Sequence, residues 1–303
     1  MLELTSDCFN EICGSTPVRE QLGALDTNRQ AALRRFWMLA AGGIVAAIIA
    51  FALLARSGLG QWGWIAGLLI VIVPACVGLG GLSRVSEALK RPVLEALAAK
   101  AGMEYLETGF SPPVYPEARK PLFGSWLSTE TFTDLLHGKD EAGRNFAVYE
   151  ANLVRGSGKN RHTVFQGQVY AVERSHPGGA TTCIVPDRGL FNFFKPAAGM
   201  ERVRIDSDPE FEKKFEVYST GEMEARQLLF DPSFRARLLD MRKKGRVFVF
   251  VAPDNGLVAA SGKNRFEPGS MFKSRGGGDR VRMMVDDVCD AIATLKEIRA
   301  RLA

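Results

Sequence analysis

Two uncharged apolar runs, Phe36 to Ala55 and Ser57 to Ser83, stand close together near the start of the chain, with only Arg56 between them. As helices, both are long enough to cross a hydrocarbon core ~30 Å thick, which takes ~20 residues. The pattern predicts a transmembrane helical hairpin, with spans at about 36–55 and 61–82, behind an N-terminal segment of residues 1–35. Neither span contains an ionisable residue, which argues against a conduction path or proton relay. Gly63 and Gly67 form a small-xxx-small pair in the second span. Such spacing allows close backbone approach, serving either packing inside the hairpin or a homo-oligomeric contact. Pro74 is a candidate kink.

After the hairpin the pattern becomes amphipathic. Val85, Ala88, Leu89, Val93, Ala96 and Leu97 recur at helical spacing up to a stop at Gly102, with Pro92 as a kink or restart. Ser111 to Pro116 reads as a turn-rich linker, so residues 84–145 are a juxtamembrane helix and linker. The period then shortens to two. Phe146–Val154 and Thr163–Val172 read as strands joined by a tip at Ser157–Asn160. Thr181–Val185 and Arg202–Ile205 read as further strands.

Helix starts follow at Asp208-Pro209, at a capping box Ser219-x-x-Glu222, and at Asp231-Pro232, whose helix stops at Gly245. Val247–Ala252 and Leu257–Ala260 form a predicted hairpin around Asn255-Gly256. After the Gly276–Gly278 break, a last helix from about Val281 to Leu302 turns Val281, Met284, Val288, Ile292 and Leu295 to the core. Hairpins and helices without βα alternation predict an α+β domain over 146–303.

Charge orients this plan. Up to Ser83 there are five basic and five acidic residues, so the whole net charge of +5 lies after the hairpin. Arg29, Arg34 and Arg35 precede the first span and Arg84, Lys90 and Arg91 follow the second. By the positive-inside rule both termini are expected in the cytoplasm. A mildly basic domain held at a bilayer leans toward anionic headgroups. Interleaved acids disfavour nucleic acid. The five cysteines (Cys8, Cys13, Cys76, Cys183, Cys289) are scattered and expected to be reduced.

Motifs for chemistry are sparse. Gly156-Ser-Gly-Lys-Asn160 fails as a phosphate loop, because Leu153 replaces the leading glycine and Asn160 the magnesium-binding hydroxyl. His137, His162 and His176 have neither helical pairing nor cysteines at zinc spacing, so no metal, cofactor or catalytic set is assembled. Cys183, in a predicted strand, reads as a core residue. The acids Asp206, Asp208 and Glu210 suit a helix N-terminus. One repeat stands out: Ser157-Gly-Lys-Asn-Arg161 recurs as Ser261-Gly-Lys-Asn-Arg265. It reads either as turn chemistry or as two basic tips presenting Lys159, Arg161, Lys263 and Arg265 to phosphates, with Lys273, Arg275 and Arg280 nearby.

The run Phe211-Glu-Lys-Lys-Phe-Glu-Val-Tyr-Ser219, with Glu224–Leu229, Asp231-Pro232 and Val164-Phe-Gln-Gly167, resembles the signature of a bacterial membrane-protein family, domain of unknown function 3137. The resemblance spans about His162 to Leu257, and Gly221 departs from the acidic residue of that pattern. It implies no activity or catalytic residue. Physically the run specifies fold: Glu222 and Glu224 suit a helix start, Arg226 can pair with Glu222, and Phe211, Phe215, Leu228 and Leu229 are core anchors.

We expect a multi-pass protein of the bacterial inner membrane. Its cytoplasmic module would bind a protein partner or anionic lipid headgroups without catalysis. The alternative is a membrane-tethered, hydrolase-like enzyme.

Overall fold

The computed structural model describes residues 16–56, 60–174, 179–187, 199–267 and 277–302. Cys8, Cys13, His176, Lys273, Arg275 and Gly276 lie outside them, as do the side chains of Arg280 and Val281. The chain divides into two units, one of residues 98–265 and 287–303, the other of residues 5–97 and 266–286.

In the second unit, helices α1 (Thr16–Arg56) and α2 (Gly60–Lys100) run antiparallel in close contact. A Cβ on Gly43 would stand 2.9 Å from the Ile70 carbonyl oxygen, and one on Gly78 would stand 2.8 Å from the Phe36 ring. A Cβ on Gly67 would stand 3.8 Å from the Ala47 side chain of the same chain, an ordinary contact distance. The side-chain surroundings of position 63 lie outside the described residues. Among the described residues one helical stretch, Gln30–Leu54, is long and apolar enough to cross a membrane, with mean hydropathy 2.4; Gly67–Gly80 is a shorter apolar stretch. Pro74 and Pro92 both lie inside a continuous α2, which ends where Gly102 adopts φ +69°.

The first unit is a mixed α+β domain built on one antiparallel sheet. In chain order its strands are β1 (Glu104–Leu106), β2 (Thr129–Lys139), β3 (Asn145–Arg155), β4 (His162–Glu173), β5 (Thr182–Pro186), β6 (Glu201–Val203), β7 (Phe215–Ser219), β8 (Val247–Val251) and β9 (Asn255–Ser261). They lie in the spatial order β1-β2-β3-β4-β9-β8-β5-β7-β6. The helices are α3 (Tyr115–Phe123), α4 (Pro209–Glu212), α5 (Glu222–Leu228), α6 (Pro232–Lys244) and α7 (Gly277–Leu302), which belongs to this unit from residue 287 on.

Alternation assigns the faces. Ala147, Tyr149, Ala151 and Leu153 of β3, with Phe165, Val169 and Ala171 of β4, form one core with α3. On the opposite face, Phe146 lies under the Arg299 guanidinium of α7 at 5.3 Å, and Gly256 leaves room for Leu302. Along α7, Met284, Val288, Ile292 and Leu295 are buried as expected.

Several expectations change. Residues 103–145 hold two strands and a helix in place of a linker, and β1 and β2 extend the sheet. The Asn255-Gly256 pair opens β9 instead of forming the turn. Ala252 N–H bonds to Asn255 O at 2.8 Å, which places Pro253-Asp254 at the corner. A proline-fixed φ there replaces the two positive φ values that a type I′ turn demands. The capping box is not formed either. Ser219 ends β7, and its hydroxyl donates to Gly221 O and accepts from Gly221 N–H, leaving Gly221 as the N-cap. Leu228 is half-buried, whereas Phe211, Phe215 and Leu229 are core residues.

Candidate anion-binding surface

Strand register brings separate basic segments to one end of the sheet. β3 ends at Arg155 and β4 begins at His162, so the first tip lies at that end. β9 finishes there too, Ser261 opposite Gly167, and carries the second tip. β8 starts there, Val247 opposite Ala260, directly after the basic last turn of α6 (Arg242, Lys243, Lys244). β2 starts there as well, Thr129 opposite Val154, so the segment that carries Trp126 enters the sheet at the same end.

Hydrogen bonds hold the segments together. Ser128 Oγ donates to Gly156 O at 2.8 Å, and Arg155 donates to Phe123 O at 3.0 Å. Arg246 donates to Val164 O at 2.8 Å, and Gly262 N–H to Gln166 O at 3.0 Å. Lys159, Arg161, Lys243, Lys244 and Lys263 are exposed, and Trp126 is 81% exposed.

The two pentapeptides are not the same turn. The first contains a 3-10 turn, Gly158–Asn160, with Gly158 at φ +54°. The second is an open bend leaving β9, and Gly262 has no positive φ. Its base is set by two other glycines. A Cβ at Gly167 would stand 2.1 Å from Ala260 O, and one at Gly245 2.1 Å from Ser261 O.

Arg265 also departs from its predicted place. Its guanidinium pairs with Asp290 of α7 at 2.5 Å, and its N–H bonds to the buried Glu150 at 2.7 Å. Burial opposes its charge, but the Asp290 hydrogen bond, together with Tyr170 and Asp287 nearby, outweighs this and its pKa is raised. The surface therefore combines Lys159, Arg161 and Lys263 with the α6 terminus and Trp126. Sequence spacing alone carries no signal for those additions, because they meet only through register.

Ion pairs brace the domain elsewhere. Arg119 forks onto Glu130 at 2.6 and 2.9 Å, and Tyr115 Oη donates to the same carboxylate at 2.6 Å. The Arg119 hydrogen bond holds the Glu130 pKa below its usual value. Asp208 caps α4 through Phe211 N–H and pairs with Arg235 at 2.8 Å, which lowers its pKa. Arg226 pairs with Glu222 as the spacing predicts. Burial pushes the Cys183 thiol up to about 12, leaving it neutral near pH 7. His137 lies in β2 and His162 at the start of β4, and they do not meet. Among the described residues no His, Cys, Asp and Glu group has the geometry to hold a metal ion.

The fold is an antiparallel α+β domain following a helix apolar enough to cross a membrane, with a basic end to its sheet. Residues 163–299 match the family model described as "Protein of unknown function (DUF3137)". No curated protein matches the chain. The crystal structure of the mycobacterial trehalose monomycolate transport factor A, TtfA, is similar at 14% identity and a TM-score of 0.33. That match covers 67% of this chain and 94% of that chain.

Proposed function

We propose that the protein is a membrane-anchored binding module of the bacterial inner membrane whose sheet end engages the phosphates of anionic lipid headgroups. In this reading α1 and α2 form a transmembrane hairpin and both termini are cytoplasmic. The observation that carries the proposal is the convergence, through register, of the two tips, the basic end of α6 and Trp126. Lysine and arginine near an anionic leaflet contribute about 1 kcal/mol each. Tryptophan favours the headgroup level, where its ring is half wet and its N–H finds a partner.

Chain direction adds a constraint. β1 enters the sheet with Glu104 opposite His137, at the end away from the tips. The tips therefore lie at the sheet end remote from the point where the chain enters the sheet.

The test uses the full chain in neutral nanodiscs mixed with phosphatidylglycerol or phosphatidylcholine liposomes. Capture by the anionic liposomes alone, falling steeply with salt, supports the proposal. Changing Lys159, Arg161, Lys243, Lys244 and Lys263 to Gln should abolish capture, since each charge is worth roughly a fivefold change in affinity. Capture that ignores lipid charge, or survives in the variant, overturns it.

A further inference from the structure

The opposite end of the sheet holds a cavity of about 460 Å³. Its floor exists because two small residues face each other on neighbouring strands, Ala147 opposite Ala171. Leu135 and Leu106 wall it, and Phe110, Pro113 and Val114 roof it. The outer rim is polar, with His137, Asn145, Glu173 and Asn255. A mostly apolar concavity of this size with a few convergent polar groups has the form of a small-molecule site.

Two further features point to a ligand. Val114, in the roof, adopts φ +62°, a left-handed conformation that a β-branched residue rarely takes. Such strain collects at ligand clamps. His137 Nε2 is shielded from solvent and makes no hydrogen bond, and the Glu104 carboxylate stands 3.7 Å away. The other groups of the rim are anionic or neutral. Glu173 accepts from Asn145 N–H and its side-chain amide, and Asn255 reaches Glu117 at 3.5 Å.

We infer that this cavity binds a small amphiphile with an apolar, ring-sized body and an ammonium head. The body would lie on Ala147 and Ala171. The head would lie at the rim beside His137, with Glu104 and Glu173 supplying the counter-charge. The site shares no residue with the basic sheet end, so the two proposals stand or fall separately.

The test is saturation-transfer NMR on the full chain in nanodiscs, with empty nanodiscs subtracted. Phenethylammonium is the probe, and phenylacetate is the control with the same ring and the opposite charge. Phenethylammonium should show transfer and phenylacetate at least fivefold less. Glu173→Gln should weaken phenethylammonium at least fivefold. Ala171→Leu, which fills the floor, should abolish transfer. Leu106→Trp, which crowds the half-exposed mouth without touching the core, should do the same and covers the case in which Ala171→Leu fails to fold. No transfer from phenethylammonium at millimolar concentration, equal transfer from both probes, or transfer undiminished in Leu106→Trp overturns the inference.

Discussion

At the scale of single residues, the second tip depends on missing side chains more than on its own sequence. Gly167 has φ +153° and no room for a Cβ against Ala260 O. Gly167→Ala should destabilise the domain by about 1–3 kcal/mol and displace the end of β9. Chemical denaturation and amide exchange at Ser261 and Gly262 would check this, and unchanged protection would refute it. The repeated pentapeptides were legible as a sequence fact, and their basic residues as candidates. That Arg265 turns to Asp290 was not legible, because the pair joins positions 25 apart through the packing of α7. Arg265→Gln should therefore lower the melting temperature, while Lys159→Gln changes stability by no more than about 0.5 kcal/mol. Thermal melts of the two variants side by side would decide.

At the scale of elements, legibility followed local chemistry. Asp208 and Asp231 each cap a helix through backbone N–H groups, with proline at the first position of each helix, as the sequence indicates. Helix α3 stayed hidden: it is nine residues long, carries Pro116 and Pro121, and begins after a left-handed Val114. Tertiary contacts hold it, above all Tyr115 and Arg119 on Glu130 of β2. That contact has a pH signature. The folded pKa of Glu130 lies below its unfolded value, so its stabilisation is complete above the unfolded pKa of about 4. It is lost as pH falls through the lower folded value. Glu130→Gln should cost about 1.5–3 kcal/mol at pH 7 and flatten the acid limb of the stability curve. Denaturant titrations between pH 7 and pH 2 would measure both, and an unaltered acid limb would place the acid sensitivity elsewhere.

At the scale of the whole molecule, the apolar pattern of the first 83 residues was the plainest signal in the sequence, and the long helices α1 and α2 follow it. Beyond the β3–β4 and β8–β9 hairpins, partners across the sheet were not legible, since the order of nine strands follows from non-local pairing that periodicity does not encode. In the proposed membrane placement, orientation would rest on the arginines and lysines flanking the apolar runs, and it would dictate which compartment meets the basic sheet end. The exposed tip at Gly156–Arg161 offers trypsin Lys159 and Arg161 in a surface turn. If both helix termini face the cytoplasm, trypsin should cut at this tip in inside-out vesicles and leave it intact in sealed right-side-out cells stripped of outer wall. Cleavage in the stripped cells would invert the topology. It would place the sheet end on the outer side of the membrane, where the headgroup proposal would have to be tested against the outer leaflet.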